Sequence, residues 1–219
     1  MTALGFLHPG DAPADDYPRI EQLLGSDIRL DVIPGDLTDL DSRDRLAATA
    51  ERLRLTGAEA VVWTGPAPAD PAAARTQART LALATGMPAS ATPLAFVNAA
   101  RELGATRVAV AATGPEAETA RLTGFLTAAG LQITRVATGA ATDLAALADD
   151  AATPDTQAVL FPDPALQAAA HIDALEARLS LPVLTASQAT VWEALRLTDR
   201  RVNAPGLGHL FTREPIVQV

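Results

Sequence analysis

The chain has 219 residues, 48% of them apolar, with a formal net charge of -9 and no cysteine. That length supports one large or two small compact domains with real cores, and an acidic balance without a basic cluster argues against nucleic acid or an anionic membrane as partner. Zero cysteine excludes disulfides and thiol chemistry, and His8, His171 and His209 are too dispersed to suggest a metal site.

No apolar run reaches the roughly 18 residues of a membrane span. The opening stretch "MTALGFLHPGD" lacks the basic start and long apolar segment of an export signal. A cytoplasmic protein is expected. In chain order, short apolar runs rich in β-branched residues predict strands at "TALGFL" (2–7), "IRLDVI" (28–33), "AEAVVW" (58–63), "TRVAVAA" (106–112), "LQITRV" (131–136), "QAVLF" (157–161) and "PVLT" (182–185). Helical patterns lie between them. "DSRDRLAATAERLRLTG" (41–57) opens on a capping aspartate and ends in glycine, and "TPLAFVNAARELG" (92–104) has Thr92 as N-cap, Pro93 at the first helical position and Gly104 at its end. "GPEAETARLTGFLTAAG" (114–130) and "SQATVWEALRL" (187–197) repeat the theme. Alternating strands and helices predict an α/β protein with mostly parallel sheets covered on both faces.

One pattern is used twice. "AVVWTGPAPADPAAA" (60–74) is a strand, a proline-broken loop and a helix opening at Asp70-Pro71; "AVLFPDPALQA" (158–168) repeats this arrangement with Asp163-Pro164. Downstream, "GMPASATPLAFVNAA" (86–100) and "SLPVLTASQATVWEA" (180–194) each place a short strand after Met-Pro or Leu-Pro, then a polar turn, then an amphipathic helix. Two matched segments in the same order predict two pseudo-duplicated Rossmann-like lobes. We place the N-terminal lobe at 1–90 plus 186–219 and the C-terminal lobe at 91–185. Ligands of open α/β sheets bind beyond the carboxyl ends of strands. The expected site therefore runs along His8 to Asp11, Thr64 to Asp70, Thr113 to Gly114, Phe161 to Asp163 and Thr185 to Gln188.

"PVLTASQATVWEALRL" (182–197) and the terminal "GLGHLF" (206–211), with the αβ segments before them, resemble the arylmalonate decarboxylase and maleate cis-trans isomerase branch of the aspartate/glutamate racemase superfamily. The terminal stretch is similar to that family's Gly-Tyr-Gly-Arg-Leu-Phe ending, with His209 in the arginine's place. The resemblance implies a racemase-like fold, small carboxylates as substrates, and cofactor-independent isomerase or lyase chemistry on one or two cysteines at strand-to-helix junctions. Neither cysteine is present. In the first lobe the family's Gly-Cys-Thr or Gly-Thr-Ser loop corresponds to Gly65-Pro66-Ala67; proline removes a backbone donor and alanine a hydroxyl. In the second lobe Asp163 stands at the cysteine of the family's Ser-Cys-Gly, and Gly114 at its tyrosine.

Asp163 has two readings. Aspartate before proline is a preferred helix start, and Asp70 makes the same local pattern, so Asp163 is read first as a cap. Alternatively it replaces the thiolate as a base or as a carboxylate that binds a polar ligand. A helix N-terminus favours a charged carboxylate, whereas a base working near neutral pH is favoured by the opposite setting. His8, ending the first strand, is the other candidate catalytic group, since imidazole exchanges protons near neutral pH; its alternative is a loop histidine bonded to backbone. Pro9, Thr64, Gly65, Pro66, Ala67, Thr113, Gly114, Ser187 and Gln188 are the expected substrate-binding positions, with Thr92 a further hydroxyl; Thr92 and Ser187 also read as helix caps. Trp63 and Trp192 are read as core or subunit contacts, and His171, within the helix after Asp163, as a surface or interface residue.

The leading expectation is a cofactor-independent isomerase or lyase acting on a small carboxylate by proton transfer, with Asp163 or His8 in place of cysteine and homo-oligomerisation left open. Two alternatives stand beside it. One is a non-catalytic relative that binds a small metabolite or serves as a partner subunit. The other is an α/β domain of the periplasmic-binding type, against which the terminal motif and the opening stretch argue.

Overall fold

A computed structural model of the chain describes residues 1–9, 16–35 and 43–212. The first half comprises β1 (Thr2–Pro9), α1 (Asp16–Leu24), β2 (Ile28–Gly35), α2 (Arg43–Thr56), β3 (Ala58–Trp63), α3 (Pro71–Thr85), β4 (Ala89–Ala91) and α4 (Thr92–Glu102). The second comprises β5 (Arg107–Ala112), α5 (Glu116–Ala128), β6 (Gln132–Thr138), α6 (Leu144–Ala151), β7 (Ala158–Phe161), α7 (Ile172–Leu179), β8 (Val183–Thr185) and α8 (Ala186–Leu197). The strands form two four-stranded sheets, β2-β1-β3-β4 and β6-β5-β7-β8. Every pairing in both is parallel. The same strand order in each sheet is the structural counterpart of the repeated sequence pattern.

The continuous apolar runs are explained by burial on both faces. Along β3, Ala60 and Val62 enter a central core while Val61 and Trp63 enter an outer one. Along β5, Val108, Val110 and Ala112 face the central core, and Ala109 and Ala111 a second outer core. The central cluster also takes Phe96 from α4 and Ala189, Val191 and Ala194 from α8. These two helices pack against one another, joined by a 2.7 Å hydrogen bond between the hydroxyls of Thr92 and Thr190. Among the described residues no helix is long and apolar enough to cross a membrane.

Several local expectations change. Thr92 lies inside α4, whose N-cap position is Ala91 without a side-chain cap, so its hydroxyl serves the α4–α8 contact instead. Ser187 is likewise not a cap: α8 opens at Thr185, which exchanges hydrogen bonds with Gln188 in a capping box. The segment after Asp163 is not one helix but two short 3-10 turns, Pro164–Leu166 and Ala168–His171, leading into α7. Gln167, with φ +46°, interrupts the helical path. The capping aspartate expected before α2, Asp41, lies outside the described residues. Helices α1 and α6 are additional to the sequence reading. α6 spans only eight residues, and Asp143 caps it through a 2.9 Å hydrogen bond from Ala146 N–H.

Candidate active site

In each sheet the chain leaves the first strand for the second on one side and returns to the third on the other, creating a switch point between β1 and β3 and another between β5 and β7. A crevice beyond the strand ends is expected at such points. A cleft of about 340 Å³ lies there, lined by residues from the ends of all four of these strands and from α4, α5 and α8.

From the first lobe come His8 and Pro9 at the end of β1 and Thr64, Gly65, Pro66 and Ala67 after β3. Thr64 is fixed by the end of β1, its N–H and hydroxyl both donating to Leu7 C=O, at 2.9 and 3.0 Å. Gly65 is required by sterics. A Cβ there would lie 2.3 Å from the Trp63 indole, so the buried tryptophan folds against the loop and only glycine leaves room. Pro66 and Ala67 add apolar surface and no side-chain donor.

From the second lobe come Ala112 at the end of β5, Gly114 and Pro115 after it, and Pro162, Asp163 and Pro164 after β7. Asp163 Oδ1 accepts a 2.9 Å hydrogen bond from Ala165 N–H, as a cap does, while Oδ2 accepts one of 2.5 Å from the Thr113 hydroxyl. It therefore caps its turn and lines the cleft at once; the two readings of this residue are not exclusive. Asp70 is different. It caps α3 through a 2.8 Å bond from Ala73 N–H and is exposed, outside the cleft lining. A Cβ on Gly114 would stand 4.0 Å from Asp163 Oδ2, so its absence widens the cleft beside that carboxylate.

Helices complete the walls. Tyr17, Phe96 and Leu122 give apolar surface, Thr92, Thr119, Ser187 and Thr190 give hydroxyls, and Glu118 adds a second carboxylate. Thr113 reaches the site only through Asp163, and Gln188, 0% exposed, is absent from the lining. Its side chain is committed to the capping box and to Leu207 C=O, to which Nε2 donates at 2.6 Å. Asp11 lies outside the described residues, His171 is exposed, and Trp63 is buried in the core. His209, at the arginine position of the terminal motif, binds Glu176: its ring Nδ1 is 2.6 Å from Oε2, and its N–H donates to the same carboxylate.

Sequence reasoning missed Asp16. It opens α1, is only 4% exposed, and accepts a 3.3 Å hydrogen bond from Ala169 N–H. Burial raises its carboxyl above the ordinary carboxylate range, opposed by donors from Ala169 and Ala168, the neighbouring Ser187 hydroxyl and the Arg19 charge. The Ser187 hydroxyl lies beside it without a well-formed hydrogen bond. Tyr17 is also pushed up, by burial first and the Asp16 charge second. "DYPRI" carries no local sign of this burial.

Charge decides what the cleft can hold. Its carboxylates are Asp163 and Glu118, its imidazole is His8 and its phenol is Tyr17, and no arginine is among the described lining residues. Two like unit charges about 4 Å apart at an effective dielectric of about 20 repel by about 4 kcal/mol. A dianion is thus opposed and an apolar body with a neutral or singly charged polar group is accommodated.

The chain has relatives. A family model described as arylmalonate decarboxylase matches residues 39–211. The arylmalonate decarboxylase of Bordetella bronchiseptica is 34% identical over 143 residues, 58% of this chain and 59% of that protein, so the matched region spans less than two thirds of the relative's length. A crystal structure of arylmalonate decarboxylase superposes with a TM-score of 0.79 at 27% identity, covering 95% of this chain and 98% of that one. The maleate isomerase Iso of Pseudomonas putida S16, 18% identical and covering 96% and 98%, shares the fold at a TM-score of 0.80. Matching sequence over most of the chain, and two lobes of common strand order, place the protein in the arylmalonate decarboxylase family, within the aspartate/glutamate racemase superfamily.

Proposed function

We propose that the protein is a cofactor-independent enzyme that moves a proton on a small compound with an apolar body and at most one ionised carboxylate, without a thiol. The observation that carries this reading is that His8 of the first lobe and Asp163 of the second line one cleft. His8 is the proton-transfer group, imidazole being suited to exchange near neutral pH. Asp163, held by Thr113 and Ala165, is an acceptor for a neutral or cationic group of the ligand. The prolines, Phe96 and Leu122 supply apolar surface that excludes water from the reacting carbon.

The test is α-proton exchange into D2O, followed by NMR, on aryl-substituted monocarboxylates, alongside decarboxylation of aryl- and alkylmalonates, isomerisation of maleate and racemisation of aspartate and glutamate. Exchange or turnover lost in His8→Ala and reduced in Asp163→Asn is expected. Turnover that survives both His8→Ala and Asp163→Ala would overturn the assignment of these groups.

A second reading, a non-catalytic binder of a small metabolite, is favoured by one observation: both oxygens of Asp163 already accept hydrogen bonds, and the Pro66-Ala67 loop offers no side-chain donor. Under that reading every assay above is silent while an aryl monocarboxylate still raises the melting temperature.

A further inference from the structure

On the side of α4 and α8 away from the cleft lies a larger groove of about 610 Å³, between α3, α4, α8 and the end of α5. Its ionisable lining is Arg75, Arg79, Arg101 and Arg196 against one carboxylate, Glu193. This concentration of positive charge occurs in a chain whose formal net charge is -9.

The floor is built rather than incidental. Glu193 is 1% exposed, and its carboxylate accepts hydrogen bonds from the Ser90 hydroxyl at 2.7 Å, Asn98 Nδ2 at 3.0 Å and both Nε and Nη2 of Arg196 at 2.8 Å. Its one negative charge is satisfied inside this cluster, and the two-point contact orients the Arg196 guanidinium at the groove. Arg101 is steadied by donating from Nη2 to Ala129 C=O at 3.0 Å, a neutral partner that carries no charge of its own. Arg75 and Arg79 lie four apart on α3, a spacing at which like charges destabilise a helix unless an anion sits between them. Forked guanidiniums from three helices match the oxygens of phosphate and carboxylate groups.

We propose that this groove binds a small polyanion, a diphosphate or tricarboxylate, at a site separate from the cleft. The ligand would rest against the helices whose other faces carry Thr92, Phe96, Ser187 and Thr190 of the cleft wall. The proposal does not depend on the reaction assigned to the cleft.

Isothermal titration calorimetry with inorganic pyrophosphate and with citrate, at fixed ionic strength, tests it. Saturable binding of at least one of them is expected, weakened at least about tenfold in the Arg75→Ala, Arg79→Ala double variant and unchanged in Arg178→Ala, a surface arginine of α7. The idea is overturned by absence of saturable binding for both anions. It is equally overturned by affinity that survives the double substitution, as seating in the cleft would give, or by an equal loss in Arg178→Ala, as diffuse surface attraction would give.

Discussion

The Thr113 hydroxyl, at the end of β5, donates a 2.5 Å hydrogen bond to Asp163 Oδ2, beyond the end of β7, tying two strand ends of the second lobe together at the cleft. A hydrogen bond to a charged acceptor stabilises more than a neutral one, and this one is only partly exposed. Thr113→Val is expected to cost about 1–2 kcal/mol, and Asp163→Ala about 2–3 kcal/mol through loss of both this bond and the cap on Ala165. In a double-mutant cycle by urea denaturation the pair should show coupling of about 1 kcal/mol. Strict additivity would mean that the two side chains do not interact in solution.

Asp16 gives a pH dependence whose sign follows from burial. Its carboxyl is raised above the ordinary value of 3.8, so the folded state holds the proton more tightly than the unfolded state. The stability it contributes is fully present below that ordinary value and is lost as pH rises through the raised one. Asp16→Asn cannot ionise and escapes the loss. The melting temperature of the variant relative to the native chain should therefore be more favourable at about pH 7 than at about pH 4. A difference that is flat with pH, or that runs the other way, contradicts the burial argument.

Glu193 is the hub of the α4–α8 contact on the groove side. Glu193→Ala leaves the buried Ser90 hydroxyl and the Asn98 amide without their acceptor and releases Arg196. Because Arg196 is about half exposed, with a side-chain exposure of 47%, its charge rehydrates and the cost stays below that of breaking a fully buried ion pair. A loss of about 2–3 kcal/mol in urea denaturation is expected. Glu193→Gln, which keeps an acceptor for Ser90, should recover part of it.

Neighbours on α8 should separate stability from ligand binding. Gln188→Ala removes a buried capping-box partner and the bond to Leu207, and about 2 kcal/mol of stability should go with them. Ser187→Val, one residue earlier, changes the cleft wall and the neighbour of Asp16. It should alter ligand affinity in calorimetry far more than it alters the urea midpoint. If Gln188→Ala instead weakens ligand binding at unchanged stability, that residue belongs to the site.

The strand pattern was legible because it is a local property. The stretches "AVVW" (60–63) and "AVLF" (158–161) are apolar at every position, and a strand buried on both faces demands that. The seven predicted strands agree with observed ones to within two residues at either end, and the short strand expected after Pro88 is β4. The order of loops was legible too. His8, Pro9, Thr64 to Ala67, Gly114, Asp163 and Ser187 line the cleft as strand-end and helix-start positions, while Thr113 and Gln188, equally polar and just as close in sequence, do not.

The sequence by itself determined the alternation of strands and helices, the duplicated strand-loop-helix pattern and the absence of any thiol, since each follows from composition and short-range periodicity. Tertiary structure alone decided what each polar group meets. Asp70 and Asp163 share an Asp-Pro step, yet one is an exposed helix cap and the other faces the cleft beside Thr113, fifty positions away. The burial of Asp16 against Ala169, and the gathering of Arg75, Arg79, Arg101 and Arg196 into one groove, likewise depend on segments distant in the chain. Periodicity sets which face of an element is apolar; desolvation and charge depend on the neighbours that packing brings, and a local pattern carries no record of them.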